Sequence, residues 1–382
     1  AERLALGWLQ QPKGRPMSSQ NPVFIPGPTN MPEELRKACF VPTLDHRSPA
    51  FGKMFHPAVA GVKRILRMTE GEVFILPSTG TGGWEAAISN TLSPGDTVLA
   101  PRFGMFSHRW IDLCQRHGLT VQVIETPWGQ GAPLAAIEAA LRADTGHKIK
   151  AVLATHNETA TGVRSDIAGI RRAMQASQHP ALFLVDGVSS IASMPFDMAG
   201  WGVDVAVTGS QKGFMLPAGL AILGVSPKAL AAMQTARLPR TFFDFADQIR
   251  TNASGGFPYT PPVGLIAGLA RAVEMLEEEG LEAVFARHHR IAEGVRRAIA
   301  AWGLQPCAAS PDLYSDTVTA VVVPKGKNGT DLVQLAAQKY GVAFGVGLGE
   351  VAGKVFRIGH LGMLTEVMVL SGLATIEMAM AD

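Results

Sequence analysis

The chain has 382 residues, of which 47% are hydrophobic and 17% charged, and its formal net charge is +2. This length predicts a large domain joined to a smaller one. The apolar content excludes a disordered chain. The near-neutral charge, without a basic block or zinc-ligand spacing, argues against nucleic-acid binding.

Cysteine usage and hydropathy restrict where the protein works. Cys39, Cys114 and Cys307 are widely spaced and include no CxxC pair. An odd number of dispersed cysteines favours free thiols in a reducing compartment, so we expect a cytoplasmic location. No apolar run approaches the roughly 18–20 residues that a membrane span needs. No signal peptide and no set of metal ligands is apparent.

The first sixteen residues differ in character from the rest. The run from Met17 to Pro22 is typical of a natural start, so residues 1–16 are expected to be a non-native or upstream segment. A genuine N-terminal arm that packs on a partner subunit is the alternative. The expected division is then residues 17–280, an arm plus the large domain, and residues 281–382, the small C-terminal domain.

After a turn at Pro49–Gly52, short apolar runs alternate with helical patterns up to about residue 225. The predicted strands are Glu72–Leu76, Val98–Ala100, Val121–Glu125, Ala151–Thr155, Ala181–Val185, Val205–Thr208 and Leu220–Val225. The predicted helices of this region are Phe55–Met68, Trp84–Leu92, Ser107–Arg116, Leu134–Arg142 and Ile167–Ala176. This alternation predicts an α/β fold whose mainly parallel sheet is covered on both faces.

The pattern changes after Pro261-Pro262. The predicted elements that follow are helices Val263–Glu279 and Leu281–Trp302, strand Thr317–Val323, helix Leu332–Tyr340, strand Val355–Ile358 and a helix from Thr365. Gly280 separates the two long helices. The region after it predicts a small C-terminal α+β unit of about 100 residues.

Two strands of the first region end in an amine and an acid. The run from Val203 ends in Thr-Gly-Ser-Gln-Lys at Lys212, and 26 residues earlier another apolar run ends in Asp186. Pyridoxal phosphate (PLP) needs such a pair, a lysine for the Schiff base and a carboxylate that keeps the pyridine nitrogen protonated. We therefore predict Lys212 and Asp186 as catalytic residues of a PLP site. Alone, each residue would indicate only a surface lysine and a turn aspartate.

The loop from Ser78 to Gly83 lies between a predicted strand and a predicted helix. Backbone amides at a helix N-terminus favour anions, so the loop predicts a phosphate cup. A dinucleotide fingerprint would need a glycine where the chain has Glu85. A plain glycine-rich turn is the remaining alternative.

Four further side chains are candidates for the same site. Phe106, near a helix start, is a candidate to stack on the cofactor ring, and Val188 is a candidate to pack against one face of that ring. Thr159 is a candidate to bond the phenolic oxygen. Arg357 ends a short strand and offers a guanidinium fork that matches a carboxylate. The alternatives are core packing for Phe106, capping of a strand exit for Thr159 and a structural salt bridge for Arg357.

Together these motifs resemble the class V aminotransferases of PLP fold type I. Within them the chain is similar to the glyoxylate aminotransferases that use alanine, serine or aspartate. The motifs that carry this resemblance are Pro26-Gly27-Pro28-Thr29-Asn30, His156-Asn157-Glu158-Thr159, Gly209-Ser210-Gln211-Lys212 with upstream Asp186, Phe257-Pro258-Tyr259-Thr260-Pro261-Pro262 and Lys354-Val355-Phe356-Arg357-Ile358-Gly359.

The resemblance implies a seven-stranded sheet in the large domain and a homodimer with active sites at the subunit interface. The implied PLP contacts are Thr79, Gly80, Thr81, Phe106, Thr159, Asp186, Val188, Gln211, Lys212 and, from the neighbouring subunit, Tyr259 and Thr260. Gly27 and Arg357 are implied to bind substrate. The chain departs from the animal alanine enzymes at Phe106, where they carry tryptophan, and at Tyr259, which they place a few residues before the threonine.

The implied reaction moves an amino group from a small L-amino acid to glyoxylate and yields glycine and an oxo acid. Serine is the expected donor. Aspartate is the alternative and calls for a second cation, for which His46 and Arg47 are candidates unless they belong to a structural turn. A cysteine desulfurase-like PLP lyase would need a reactive thiol, for which Cys307 is the candidate. A non-catalytic binding protein predicts loss of Lys212 or Asp186, and both are present.

Overall fold

The protein was analysed as a computed structural model, which describes residues 21–42 and 44–382. The segment 1–16, expected to be non-native or upstream, lies outside the described residues. Within the described ranges, no helix combines the length and the apolar character that crossing a bilayer requires.

Helices and strands alternate through most of the described chain. The helices are α1 (Glu33–Cys39), α2 (Pro49–Ile65), α3 (Gly80–Thr91), α4 (Met105–Arg116), α5 (Leu134–Ala143), α6 (Ile167–Ala176), α7 (Pro227–Met233), α8 (Phe245–Asn252), α9 (Val263–Glu279), α10 (Leu281–Ala301), α11 (Gly329–Leu335) and α12 (Glu366–Ala381). The strands are β1 (Val23–Phe24), β2 (Glu72–Ser78), β3 (Thr97–Arg102), β4 (Thr120–Glu125), β5 (Ile149–Thr155), β6 (Asn157–Glu158), β7 (Val163–Arg164), β8 (Leu182–Asp186), β9 (Val205–Gly209), β10 (Gly219–Val225), β11 (Gln305–Pro306), β12 (Val318–Val322), β13 (Ala343–Val346) and β14 (Val355–Gly359).

The larger sheet has seven strands in the order β2-β10-β9-β8-β5-β3-β4. Strand β10 is antiparallel to both of its neighbours, and the other pairs are parallel. The predicted mainly parallel sheet is thus confirmed. Because β10 is antiparallel to both β2 and β9, those two strands run in the same direction. The carboxyl ends of β2, β8 and β9 therefore lie at the same edge of the sheet.

Both faces of this sheet are buried, which explains the near-continuous apolar strands. Along β2, Val73 and Ile75 join the core on one face, while Phe74 and Leu76 join the core on the other. Successive side chains point to opposite faces of a strand. A strand covered on both sides therefore has to be apolar at every position.

The smaller sheet has five strands in the order β1-β13-β14-β12-β11. Its first strand comes from the start of the described chain, where Phe24 stacks on Phe344 with ring centroids 5.4 Å apart. Gly280 separates α9 from α10 with a φ of +82°, a conformation that glycine adopts without steric penalty. Residues near the N-terminus therefore complete a sheet otherwise built after residue 300.

The observed helix α2 begins at Pro49, where the sequence predicted a turn. Ser48 is the N-cap in an extended conformation, and proline at the first helical position has the φ that a helix needs. The predicted helix Leu332–Tyr340 is α11 followed by a π-helical turn at Ala336–Tyr340. The short elements β1 and α7 were not predicted, because two residues show no periodicity and seven residues make only two turns of a helix.

Candidate active site

Lys212 and Asp186 lie at the edge where β8 and β9 end. Asp186 is the last residue of β8 and is paired in register with Val207 of β9. Lys212 follows the end of β9, and its Nζ donates a hydrogen bond to the carbonyl oxygen of Pro26. Gly27, with a φ of +94°, packs so closely that an added Cβ would lie 2.6 Å from Lys212 Nζ. The segment before α1 thus forms a wall against the amine.

The surroundings of Lys212 favour its neutral form. Burial and the positive charge of Arg357 lower the pKa of its ammonium group to about 8, while the Asp186 carboxylate opposes this shift. An amine with such a pKa is partly neutral near physiological pH. It can therefore act as a nucleophile or as a proton acceptor.

Asp186 is 4% exposed. Burial raises the pKa of its carboxyl group to about 7, and the nearby Glu158 adds to the rise. The N–H of Val188 donates to Asp186 Oδ1 over 2.9 Å and opposes the shift. The Trp84 indole also lowers the pKa of Asp186, although its N–H forms no well-directed hydrogen bond. The charge of Lys212 also lowers the pKa of Asp186, but together these effects do not outweigh burial.

The predicted phosphate cup lies at the N-terminus of α3. Thr79 is the N-cap in an extended conformation, and among the described residues no backbone carbonyl accepts from the N–H groups of Gly80 and Thr81. A Cβ at Gly80 would lie 2.5 Å from Val188 Cγ2. The helix start is therefore open to an anion and free of side-chain bulk at the point of closest packing.

Gln211 lies beside this helix start. Its Oε1 is buried without a hydrogen-bond partner among the described residues. A Cβ at Gly209 would lie 2.8 Å from that oxygen and 3.5 Å from the backbone nitrogen of Gly80. The end of β9 and the start of α3 thus bring the side-chain amide of Gln211, whose oxygen is unpaired, next to the unpaired backbone N–H groups of α3.

Phe106 and Val188 are half-buried and pack against the same hydrophobic core. Thr159 is 4% exposed, and its hydroxyl shares a hydrogen bond of 2.8 Å with the hydroxyl of Ser189. The structure therefore places these three predicted residues around the strand ends that carry Lys212 and Asp186.

Arg357, on β14, faces the same space from the smaller sheet. Its Nε donates to the carbonyl of Val346 over 2.8 Å, and its Nη1 donates to the carbonyl of Thr159 over 3.1 Å. Burial lowers the pKa of its guanidinium to about 10; Glu158 opposes the shift and Arg109 adds to it. Its Nη2 has no acceptor in the part of the chain that the structure describes.

A cavity of about 280 Å³ lies between the two sheets, and it is lined by Ile25, Pro26, Gly27, Phe106, Thr159, Lys212, Phe344, Gly345, Val346 and Arg357. Its walls bring a perturbed lysine and an arginine fork to one space. This size suits a small ligand.

Of the residues that the sequence singled out, the cavity lining includes Gly27, Phe106, Thr159, Lys212 and Arg357. Asp186, Val188, Gln211 and residues 79–81 lie at the neighbouring strand ends and helix start, outside the lining. Tyr259, Thr260, His46 and Arg47 also lie outside it. Tyr259 stacks on Phe242 with centroids 5.1 Å apart, and its hydroxyl donates to the carbonyl of Thr241 over 3.3 Å. Thr260 and Arg47 are exposed, and His46 is half-buried with an unpaired Nε2 among the described residues. If these side chains take part in catalysis, they do so in the active site of another subunit.

Glu158 was missed by the sequence reasoning as a functional residue. Its side chain is fully buried, and its Oε2 accepts the backbone N–H groups of Phe106 and Ser107 over 3.0 and 2.9 Å. Its Oε1 accepts the N–H of Ala160 over 3.1 Å. Burial raises the pKa of its carboxyl, and these hydrogen bonds oppose the rise. Gly104, which precedes α4, leaves room for this side chain. This glycine was the sequence feature from which a buried side chain at the start of α4 could have been predicted.

The fold and the site together define a PLP-type enzyme, and comparison with known proteins makes the assignment specific. The class-V aminotransferase family model matches residues 37–358. The chain is 66% identical to L-aspartate–glyoxylate aminotransferase of Paracoccus denitrificans, covering 96% of this chain and 92% of the relative. It is 53% identical to serine–glyoxylate aminotransferase of Hyphomicrobium methylovorum, covering 94% and 89%.

Among solved structures, pyridoxamine–pyruvate aminotransferase from Mesorhizobium loti superimposes with a TM-score of 0.89 at 30% identity, covering 96% of this chain and 94% of that one. The chain therefore belongs to the class-V aminotransferase family. It has PLP fold type I, and PLP is its cofactor.

The described residues fit this cofactor. The unpaired N–H groups at the start of α3 suit a phosphate, and the side-chain amide of Gln211 beside them carries an Nε2 donor that a phosphate can accept from. Asp186, with its pKa raised to about 7, lacks the partner that a ring nitrogen would supply. Phe106 and Val188 offer apolar surfaces for a flat ring. Each of these features would otherwise be an uncompensated buried group or a gap.

Proposed function

We propose that this protein transfers an amino group from a small L-amino acid to glyoxylate. The observation that carries the proposal is the cavity in which Lys212, with its lowered pKa, faces the Arg357 fork. Glyoxylate is proposed as acceptor because relatives at 66% and 53% identity are named for it. The products would be glycine and the oxo acid of the donor.

The proposed roles follow the geometry of the site. Thr79, Gly80, Thr81 and Gln211 would hold the cofactor phosphate, Phe106 and Val188 its ring, Thr159 its phenolic oxygen and Asp186 its ring nitrogen. When bound, PLP supplies an electron sink for the electron pair left at the donor's α-carbon. Lys212 Nζ takes the α-proton and returns a proton later in the transfer.

Arg357 would bind the carboxylate of both donor and acceptor. One N–H each of Nε and Nη1 is fixed by a backbone carbonyl, which leaves Nη2 and the second N–H of Nη1 as the fork for the substrate. Since an amino acid and glyoxylate share only their carboxylate and the adjoining carbon, one fork can orient both half-reactions. Gly27 allows the chain to pass close to Lys212 at this point.

We propose L-aspartate as the preferred donor and L-serine as the alternative. Serine was favoured by the sequence, but the relative named for aspartate is 66% identical and the one named for serine is 53% identical. Aspartate needs a second cation near the donor's side chain, which a serine pocket does not require.

We propose a homodimer as the active unit. Tyr259 and Thr260 lie outside the cavity of their own chain, and Phe40, which is 77% exposed, and Phe242, which is 42% exposed, leave apolar surface uncovered. Mixing inactive Lys212→Ala subunits with inactive Thr260→Ala subunits should restore activity in hybrid dimers. Activity that never exceeds the sum of the two parents would contradict a shared site.

A desulfurase reaction is disfavoured by the state of Cys307. Burial raises the pKa of its thiol, whereas a nucleophilic cysteine needs a lowered pKa. Cys307 also lies outside the residues that line the cavity. Release of sulfide from free cysteine would contradict this assignment.

A spectral titration tests the proposed function. Addition of L-aspartate or L-serine to the PLP-loaded protein should bleach the visible band, and glyoxylate should restore it. The donor that bleaches at the lower concentration is the preferred one. A band that glyoxylate does not restore would contradict the proposed acceptor.

A further inference from the structure

Arg109 lies behind a wall of the cavity and has no role in the site described so far. It is an exposed residue of α4 outside the cavity lining, and its guanidinium carbon lies 5.4 Å from the centroid of the Phe106 ring. Because Phe106 itself lines the cavity, this stacking holds a positive charge one ring away from the cavity. Stacking on an aromatic face also orients the planar guanidinium.

No acidic side chain neutralises Arg109 within residues 21–42 and 44–382. The acid one turn further along α4, Asp112, forms its ion pair with Arg116 over 2.9 Å instead. Arg102, just before the helix, pairs with Glu125. Arg109 is thus the arginine of this region that keeps its charge available for a ligand.

The charge of Arg109 reaches the carboxylate-binding fork. It lowers the pKa of Arg357, so the two guanidinium groups are close enough to repel each other. An anion with one carboxylate would satisfy Arg357 alone. A substrate with two carboxylates a few bonds apart would satisfy both arginines and remove the repulsion.

We propose that Arg109 binds the side-chain carboxylate of a dicarboxylic amino donor and so makes this site prefer L-aspartate to L-serine. The inference rests on the proposed aminotransferase function and names its substrate class. Arg109 is then a specificity-determining residue, and it supplies the second cation that an aspartate pocket requires.

Steady-state kinetics of the PLP-loaded dimer test the proposal. Arg109→Leu keeps apolar cover on Phe106 but removes the charge, so kcat/KM for L-aspartate should fall about tenfold to hundredfold, the loss expected for a charge-assisted hydrogen bond. The value for L-serine should change less than about twofold. Arg116→Leu, on the same helix, is the matched control and should leave both values unchanged. Equal losses for both donors in Arg109→Leu would overturn the proposal.

A binding measurement separates this inference from the proposed reaction. Succinate and propionate differ by one carboxylate, cannot donate an amino group, and can be titrated against the loaded protein by its absorption. The wild type should bind succinate more tightly, Arg109→Leu should bind the two alike, and Arg109→Lys should fall between them. Equal binding by the wild type would overturn the role of Arg109. A wild type that selects succinate yet never transfers an amino group to glyoxylate would contradict the proposed function alone.

Discussion

The two walls of the cavity differ in how their charged groups are held. On the wall from the seven-stranded sheet, burial moves the pKa of Lys212 to about 8 and that of Asp186 to about 7. On the wall from the five-stranded sheet, Arg357 keeps a pKa of about 10 and is fixed by two carbonyl oxygens. The first wall carries groups that can change protonation, and the second carries a permanent charge.

This difference separates chemistry from recognition. Proton transfer needs groups whose pKa lies near the working pH, whereas carboxylate binding needs a cation with a fixed direction. Changes on the first wall should therefore lower kcat or cofactor affinity, and changes on the second should raise KM.

The largest effect is expected from Lys212→Ala, which tests whether the wall of the seven-stranded sheet carries the chemistry. Loss of the residue that moves the proton should lower kcat by at least roughly a thousandfold, while non-covalent PLP binding persists. Steady-state assays of transamination measure the loss of kcat, and equilibrium dialysis measures the retention of PLP. Substantial remaining transamination would contradict the role of Lys212.

The next largest effect is expected from Asp186→Asn. An amide cannot hold the positive charge at the ring nitrogen, so kcat should fall about hundredfold, as for the breaking of a buried charge pair. The KM for the amino donor should change little. Asp186→Glu, which keeps the charge, should retain more activity than the amide. The reverse order would contradict an electrostatic role.

Arg357→Gln tests the second wall. Losing the fork should raise the KM for donor and glyoxylate about tenfold to hundredfold, because one charge-assisted contact is lost. The affinity for PLP should remain near that of the wild type. A large loss of PLP affinity with an unchanged KM would show that Arg357 acts in cofactor binding and not in substrate binding.

The smallest effect is expected where the two walls meet. Glu158 ties the first turn of α4, with Phe106, to the short strand β6 that directly precedes Thr159. Glu158→Gln should weaken PLP binding roughly threefold to tenfold, as expected for impaired buried hydrogen bonds. Glu125→Gln is the control, because Glu125 is exposed in a surface pair with Arg102, and such pairs contribute little. Equal effects of both substitutions would show that Glu158 has no special part.

The sequence predicted the seven strands of the large sheet because burial on both faces makes most of them apolar runs. The edge strand β4 is the exception, since it is only partly buried. The prediction of parallel strands also placed Lys212 and Asp186 in one site, because the carboxyl ends of neighbouring parallel strands lie at the same edge of the sheet. The predicted helix Ile167–Ala176 agrees with α6 in both of its bounds. Long elements with strong patterns were therefore accessible from the residues alone.

The rest could not be read from the sequence, for physical reasons. Strand β1 has two residues, and its pairing with β13 joins segments more than 300 residues apart in the chain. Glu158 has no local pattern, because its hydrogen bond to the backbone of Phe106 joins residues 52 positions apart. The contact of Arg109 with Phe106 is local, but its proposed role depends on Arg357, which comes from the other sheet. How a second subunit would meet Tyr259 and Thr260 is likewise set by assembly.

The most direct test of this account is to trap the link between cofactor and protein. Borohydride reduction of the PLP-loaded protein, followed by digestion and mass spectrometry of the peptides, should place the pyridoxyl group on Lys212 alone. Prior addition of the amino donor should prevent the labelling, because the donor takes the place of the lysine. A label on another lysine, or labelling of Lys212→Ala to the same extent, would contradict the central assignment.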